Sequence, residues 1–216
     1  MPNISWTKEP VTVVKNYEAR CKSTLLSSLF LWATWAVEGL YYLDDLDSDW
    51  SNYSNPAGSH HPDIIDMAHA RWASGTAITA LDLCAAGLAR QYCKWTGLNE
   101  LDLRGFDVNA ASGNRRRKQT LARRSNLRPS ALAWVDDVLA DPRYQTILNA
   151  RNPLAHSRLP RHLRISIGGE PKKDRMDFKI TINGNQIQIG SRELVLQSRD
   201  FAGEHVDRFL CVIDAL

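Results

Sequence analysis

Arg151, Asn152 and His156 stand in the run Arg151-Asn152-Pro153-Leu154-Ala155-His156, and these residue types together could do metal-free chemistry on a phosphate. RNA cleaves itself when a 2′-hydroxyl attacks the adjacent phosphorus. That step needs a base for the hydroxyl, an acid for the leaving 5′-oxygen, and positive charge on the pentacoordinate phosphate. Arg151 could grip phosphate oxygens through two parallel hydrogen bonds. A histidine titrates near neutral pH, so His156 could move protons, and Asn152 could orient the ribose or His156. One histidine per chain falls short of a separate acid and base. A two-fold dimer would supply a second His156 across its axis. The expected products carry a 2′,3′-cyclic phosphate, and the scheme requires no metal and no cofactor.

The element that must position these residues is a helix beginning at Asp141. Asp141 suits an N-cap and Pro142 a first helical residue. Tyr144, Ile147 and Leu148 recur at helical spacing, and Leu154 and Ala155 extend the stripe. At about 100° per residue, Arg151 projects onto the middle of that apolar stripe. A guanidinium aimed at a core or an interface needs a partner or a purpose. Asn152 and His156 are four apart and share a flank beside it. Pro153 removes a backbone donor and is expected to interrupt the helix.

Arg and His at this spacing are a weak signal by themselves, because the chain holds 19 Arg and 6 His, and Arg199 with His205 fits as well. The added detail is Asn directly after Arg, a helical setting, and Arg on the apolar side. With it, the run from Ile147 to His156 resembles the HEPN superfamily, whose motif is Arg, a polar residue and then His near the end of a late bundle helix. The resemblance covers the helical part, about residues 17–157. It implies a homodimer with two motifs facing each other across a cleft. It also implies a metal-independent endoribonuclease acting on RNA, in toxin–antitoxin or antiviral-defence systems, with an antitoxin protein as a further partner. Under it Arg151 stabilises the phosphate, His156 transfers protons and Asn152 orients. Pro153 inside the motif and a β hairpin after it depart from the family pattern. Two other classes stay open: a non-catalytic module of the same fold binding nucleotide, RNA or a partner protein, and a helical structural protein. In the latter, Arg151 pairs internally with Glu38, the only charge between Lys22 and Asp44, and His156 is a helix C-terminal residue favoured by the macrodipole.

Composition sets the frame. The chain has 216 residues, 44% hydrophobic and 24% charged, which suits one folded domain with an appendage and excludes wholesale disorder. Net charge is only +3, but its distribution is uneven. No acid lies between Asp107 and Asp136, while Arg115, Arg116, Arg117, Lys118, Arg123, Arg124 and Arg128 all do. The first six of these are candidate contacts to RNA phosphates; the plain alternative is a solvated loop. Tyr92, Trp95 and Trp134 flank the run and could stack on bases, or simply fill a core. Cys21, Cys84, Cys93 and Cys211 form no Cys-x-x-Cys pair and read as buried, reduced thiols of a cytoplasmic protein. The stretch Leu25 to Leu43 is apolar, but Glu38 and Gly39 break it, so a core helix is expected rather than a membrane span, and no signal peptide is evident.

His60, His61, Asp63, Asp66 and His69 are metal-ligand types, with Asp66 and His69 three apart on a helix, yet the same residues read as an ordinary helix start, and no metal is assigned. Asp82 reads as a surface residue rather than a catalytic acid.

The predicted fold is mainly α, a HEPN-like helical bundle with a small antiparallel β hairpin appendage and a C-terminal helix. An extended arm over residues 1–16, with Val11–Val14 either a short strand or the helix lead-in, leads into a first helix from about Tyr17 to Leu43. A polar loop spans Asp44 to Pro62, and a second helix Asp63 to Trp95. Residues 97–128 lack apolar periodicity and read as a long basic loop. Helices follow at Ser130–Ala140 and from Asp141. Leu163–Ile167, Phe178–Ile182 and Gln186–Gly190 alternate as strands do, with Gly168-Gly169 a turn, and Asn183-Gly184 between the last two is a strong hairpin signal. Residues 200–216 return to helical spacing. The predicted division is a bundle over residues 1–160, with its basic loop near 104–128, and the hairpin plus C-terminal helix over 161–216.

Overall fold

The computed structural model describes residues 24–52, 62–93, 102–155, 177–182 and 184–215. Among these the chain is mainly α, with six helices, a 3-10 turn and one two-stranded antiparallel sheet. The helices are α1 (Thr24–Asn52), α2 (Pro62–Cys93), α3 (Asn114–Ser125), α4 (Pro129–Ala140), α5 (Pro142–Ala155) and α6 (Ser191–Asp214). The strands are β1 (Asp177–Ile182) and β2 (Asn185–Gly190), and the 3-10 turn covers Leu103–Phe106. The N-terminal arm with Val11–Val14, the strand placed at Leu163–Ile167, the Gly168-Gly169 turn, Cys21 and Trp95 lie outside the described residues.

Three elements differ from expectation. α1 does not stop at Leu43 but runs through the aspartates to Asn52. Its inward stripe is Leu26, Phe30, Ala33, Val37, Leu40 and Leu43, and Asp44 and Asp47 continue it, both buried. The polar composition predicted a loop, and buried ion pairs hold a helix there instead. The basic stretch contains the helix α3, where only Thr120 is buried. Arg, Lys, Gln, Leu and Ala are good helix formers, but a helix with one buried residue leaves no apolar period to read. α6 begins at Ser191 rather than near residue 200, and Leu194, Val195, Ser198, Phe201 and Ala202 form its inner face.

The chain divides into two compact units, and the cuts fall within α1, α2 and α6. The first unit takes Met1–Glu38, Thr79–Asp141 and Ala202–Leu216. Its core centres on Phe209, whose ring stacks on Phe30 (centroids 6.1 Å) and meets Trp134 edge-on (4.8 Å). The Trp134 indole N–H donates to the His205 carbonyl at 2.8 Å, so this tryptophan is core and not a base-stacking platform. α2 supplies a wall of small buried residues, including Ala80, Ala85, Ala86 and Ala89. A Cβ on Gly87 would collide with the Leu26 side chain, so glycine permits that close approach. The Ile65–Cys93 part of α2 is long and apolar enough to cross a membrane, but 67% of its most apolar window is buried inside the fold, as in a core helix. Cys84 is fully buried, and burial pushes its thiol far up; Cys93 is half-buried and Cys211, expected to be buried, is exposed.

The second unit takes Gly39–Ile78 and Pro142–Phe201. Its hairpin pairs Phe178 with Ile189, Ile180 with Ile187 and Ile182 with Asn185. Cross-strand partners share a face, so Ile180, Ile187 and Ile189 lie on one side, where Ile180 and Ile189 are buried. Gly184 takes φ +82°, the left-handed conformation that a two-residue Asn-Gly turn requires. β1 runs beside α5, the helix carrying Arg151. Tyr144 on α5 packs against Phe201 (centroids 6.3 Å), and the Arg143 guanidinium lies over the same ring at 5.6 Å.

Candidate functional site

α5 begins where expected, with Pro142 as its first residue. Tyr144, Ile147, Leu148 and Ala150 are buried, and Arg151, following them on the same side, is half-buried. The helix then continues through Pro153 to Ala155. The expected interruption does not occur. Proline's φ fits a helix, and near a helix end its missing N–H removes only one bond, here to the Asn149 carbonyl. Arg151 and Asn152 therefore share an unbroken helix, described as far as Ala155. His156 itself lies outside the described residues, as does the side chain of Asn152.

Glu38, the suggested counter-ion, has its carboxylate Oε2 shielded from water with no hydrogen-bond partner among the described residues, and burial raises its pKa above the usual glutamate range. No ion pair of Arg151 occurs among the described residues.

The six basic candidates fall into two groups. Arg115, Arg116, Arg117 and Lys118 are exposed on the first half of α3. Arg123 and Arg124 are half-buried and bind the 3-10 turn: Arg123 donates to the Gly105 carbonyl at 3.3 Å and Arg124 to that of Phe106 at 3.2 Å. Arg124 also pairs with Asp136 at 2.6 Å. Asp82 is half-buried and accepts the Leu103 N–H at 2.9 Å, fixing the start of the same turn. It is a structural acceptor rather than a free surface acid.

A charged cluster in the second unit was not foreseen. Arg192 pairs with both Asp44 and Asp47, the latter at 3.1 Å, and donates to the Asp44 carbonyl at 3.1 Å. Arg199 pairs with Asp44, and with Asp200 at 2.6 Å, and lies over the Tyr41 ring at 5.2 Å. Burial alone would lower the Arg199 pKa, but Asp200 and Asp44 outweigh it and hold the guanidinium charged. Asp47 is fully buried and also meets Nδ1 of His69 at 2.8 Å. Both arginines are matched to carboxylates, so the cluster works as a lock between helices rather than as a phosphate grip. A signal existed in Asp44 with Asp47, three apart, and Arg192 with Arg199, seven apart, each spacing keeping one helix face.

The same geometry bears on two other readings. Arg199 and His205 are both engaged elsewhere, since His205 is buried and its Nε2 meets Asp141 at 3.1 Å. Among the described residues no three His, Cys, Asp or Glu side chains gather as a metal site. His69 faces Asp47, Asp66 is buried, and His60, His61 and the side chain of Asp63 lie outside the description. Tyr92 is half-buried and its hydroxyl has no hydrogen-bond partner. Comparison of the chain with protein-family models, curated proteins and solved structures finds no match.

Proposed function

We propose that the chain is a metal-independent endoribonuclease of HEPN type, acting as a homodimer, with Arg151 on the scissile phosphate, His156 moving protons and Asn152 orienting. The observation that carries this reading is the setting of Arg151. It is a half-buried guanidinium in line with Tyr144, Ile147 and Leu148, on a helix that stays intact through Pro153 to Ala155. Two features support it. Four exposed cations on α3 could hold an RNA backbone without reading its sequence. Trp32, Trp35, Tyr42 and Leu46 are all exposed on α1, at spacings that keep them on one helix face. An apolar exposed stripe of this kind suits a second copy of the chain, which the proton count of the mechanism also asks for. A role in toxin or antiviral defence rests on the family resemblance alone.

The test is incubation of the full chain with structured RNA in excess EDTA, beside His156→Ala and Arg151→Lys. Wild type should cleave and leave 2′,3′-cyclic phosphate ends. His156→Ala should be inactive, and Arg151→Lys should lose most activity because the two-pronged phosphate contact is gone. Equal cleavage by all three proteins, or cleavage that EDTA abolishes, rules the proposal out.

A further inference from the structure

We propose that the cavity between the 3-10 turn and α3 is a phosphate-binding site, taking the phosphate of one nucleotide unit. It stands apart from the Arg151 reading and would hold even if the chain cleaved nothing. The cavity has a volume of about 300 Å³ and is lined by Asp102, Arg104, Arg116, Gln119, Thr120 and Arg123, together with small residues. That volume is at the low end for ligand pockets, enough for a phosphate with its sugar.

Three observations point to an anion. The first is the face that α3 turns to the cavity. Arg116, Gln119, Thr120 and Arg123 follow the spacing of a single helix face. Each of the four side chains carries a hydrogen-bond donor, and two of them are cationic, so the face can surround an anion. The second is Thr120. It is the one buried residue of α3, 4% exposed, and its hydroxyl makes no hydrogen bond among the described residues. Thr120 lines the cavity, and a hydroxyl can donate a hydrogen bond to an anion bound there. The third is charge. Three arginines line the cavity against one aspartate, and Asp102 already accepts the Gly105 N–H at 3.1 Å. The first turn of α3 has no acid and carries Arg115, Arg116 and Arg117, and Gly113 caps it without a side-chain hydrogen bond. Cations at a helix N-terminus oppose the helix dipole, and an anion relieves both. Arg123 is held in place through the Gly105 carbonyl, which leaves less side-chain freedom to lose on binding.

Titrations of the full chain at low salt should compare adenosine 5′-monophosphate, adenosine, inorganic pyrophosphate and a single-stranded hexaribonucleotide. The phosphate-bearing probes should bind and adenosine should not. Arg116→Gln should weaken binding about tenfold, the loss of one charge-assisted contact. Thr120→Val should also weaken it while leaving the melting temperature in place. Arg208→Gln, exposed on α6 and outside the lining, should change affinity less than about twofold. Tighter binding of the hexanucleotide, with a steep salt dependence, supports the site and assigns the phosphate to a nucleic-acid backbone. Equal affinity for the mononucleotide supports it with a free nucleotide as source. Adenosine binding as well as its phosphate, no binding by any phosphate probe, or equal damage from Arg208→Gln and Arg116→Gln overturns the proposal.

Discussion

The buried carboxylate of Asp47 on α1 and Nδ1 of His69 on α2 meet at 2.8 Å, and Arg192 of α6 reaches the other Asp47 oxygen at 3.1 Å. Asp47 thus satisfies two groups from two other helices while fully buried itself. Truncating one member of a buried charge pair leaves the rest without compensation and costs about 3 kcal/mol or more. Asp47→Ala should therefore destabilise the protein by about that amount in urea unfolding. The exposed neighbour Asp45 is a control, and Asp45→Ala should stay within about 0.5 kcal/mol of wild type. Similar effects from the two variants would show that the lock contributes little.

The same lock explains what could be read from the chain and what could not. The hairpin was legible because its cause is local: Asn183-Gly184 dictates the turn, and alternation dictates the buried face of Ile180 and Ile189. The second helix was legible because Ala77, Leu81, Cys84, Ala85 and Leu88 recur on one side and are buried there. The end of α1 was not, because Asp44 and Asp47 read as loop residues until Arg192 and Arg199 are brought to them from about 150 positions away, separations of 145 for Asp47 with Arg192 and 155 for Asp44 with Arg199. Tertiary pairing overrode local composition. α3 was missed for the opposite reason: it packs so little that only helix propensity marks it. At the candidate site, the stripe predicted the half-burial of Arg151. The effect of Pro153 was misjudged, because a proline near a helix end removes only one bond.

Glu38 makes a pH prediction. Burial raises its pKa in the folded state, so the folded protein holds its proton more tightly than the unfolded chain. The associated stability is fully present below the ordinary glutamate range and is lost as pH rises through the raised value. At neutral pH the ionised carboxylate is thus a burden, with Oε2 shielded and no hydrogen-bond partner among the described residues. Glu38→Gln should melt higher than wild type at neutral pH, and the two curves should converge as pH falls to about 4. A gap that stays constant with pH would mean the ionisation of Glu38 is irrelevant to stability.

Two glycines of α2 should respond oppositely to the same substitution. A Cβ at Gly75 meets nothing within 4 Å, whereas one at Gly87 runs into Leu26, whose side chain is buried. Glycine inside a helix is less favourable than alanine by about 0.5–1 kcal/mol. Gly75→Ala should therefore raise stability by about that amount. Gly87→Ala receives the same backbone gain but must displace a core leucine, so it should be neutral or destabilising. Equal stabilisation by both, in thermal or urea unfolding, would mean that the approach of α1 to α2 at Leu26 is looser than described.

The proposed pairing of two copies can be tested on the outer face of α1. Its inner stripe ends in the acids Asp44 and Asp47, while its outer stripe leaves Trp32, Trp35, Tyr42 and Leu46 between 47% and 65% exposed. Acids inside and aromatics outside reverse the usual pattern of a surface helix. Exposed large apolar residues gathered on one face mark an interaction surface more often than scattered ones do. Trp35→Glu places a charge in the middle of that stripe. Trp35 is 47% exposed within the chain itself, so this change should leave the melting temperature of the monomer nearly as it was. If two copies meet through α1, light scattering should give a dimer for the wild-type protein and a monomer for Trp35→Glu at the same concentration. RNA cleavage, where present, should fall with the dimer. A wild-type protein that scatters as a monomer would remove the second His156 from the proposed mechanism, and a variant that stays dimeric would move the contact to another face.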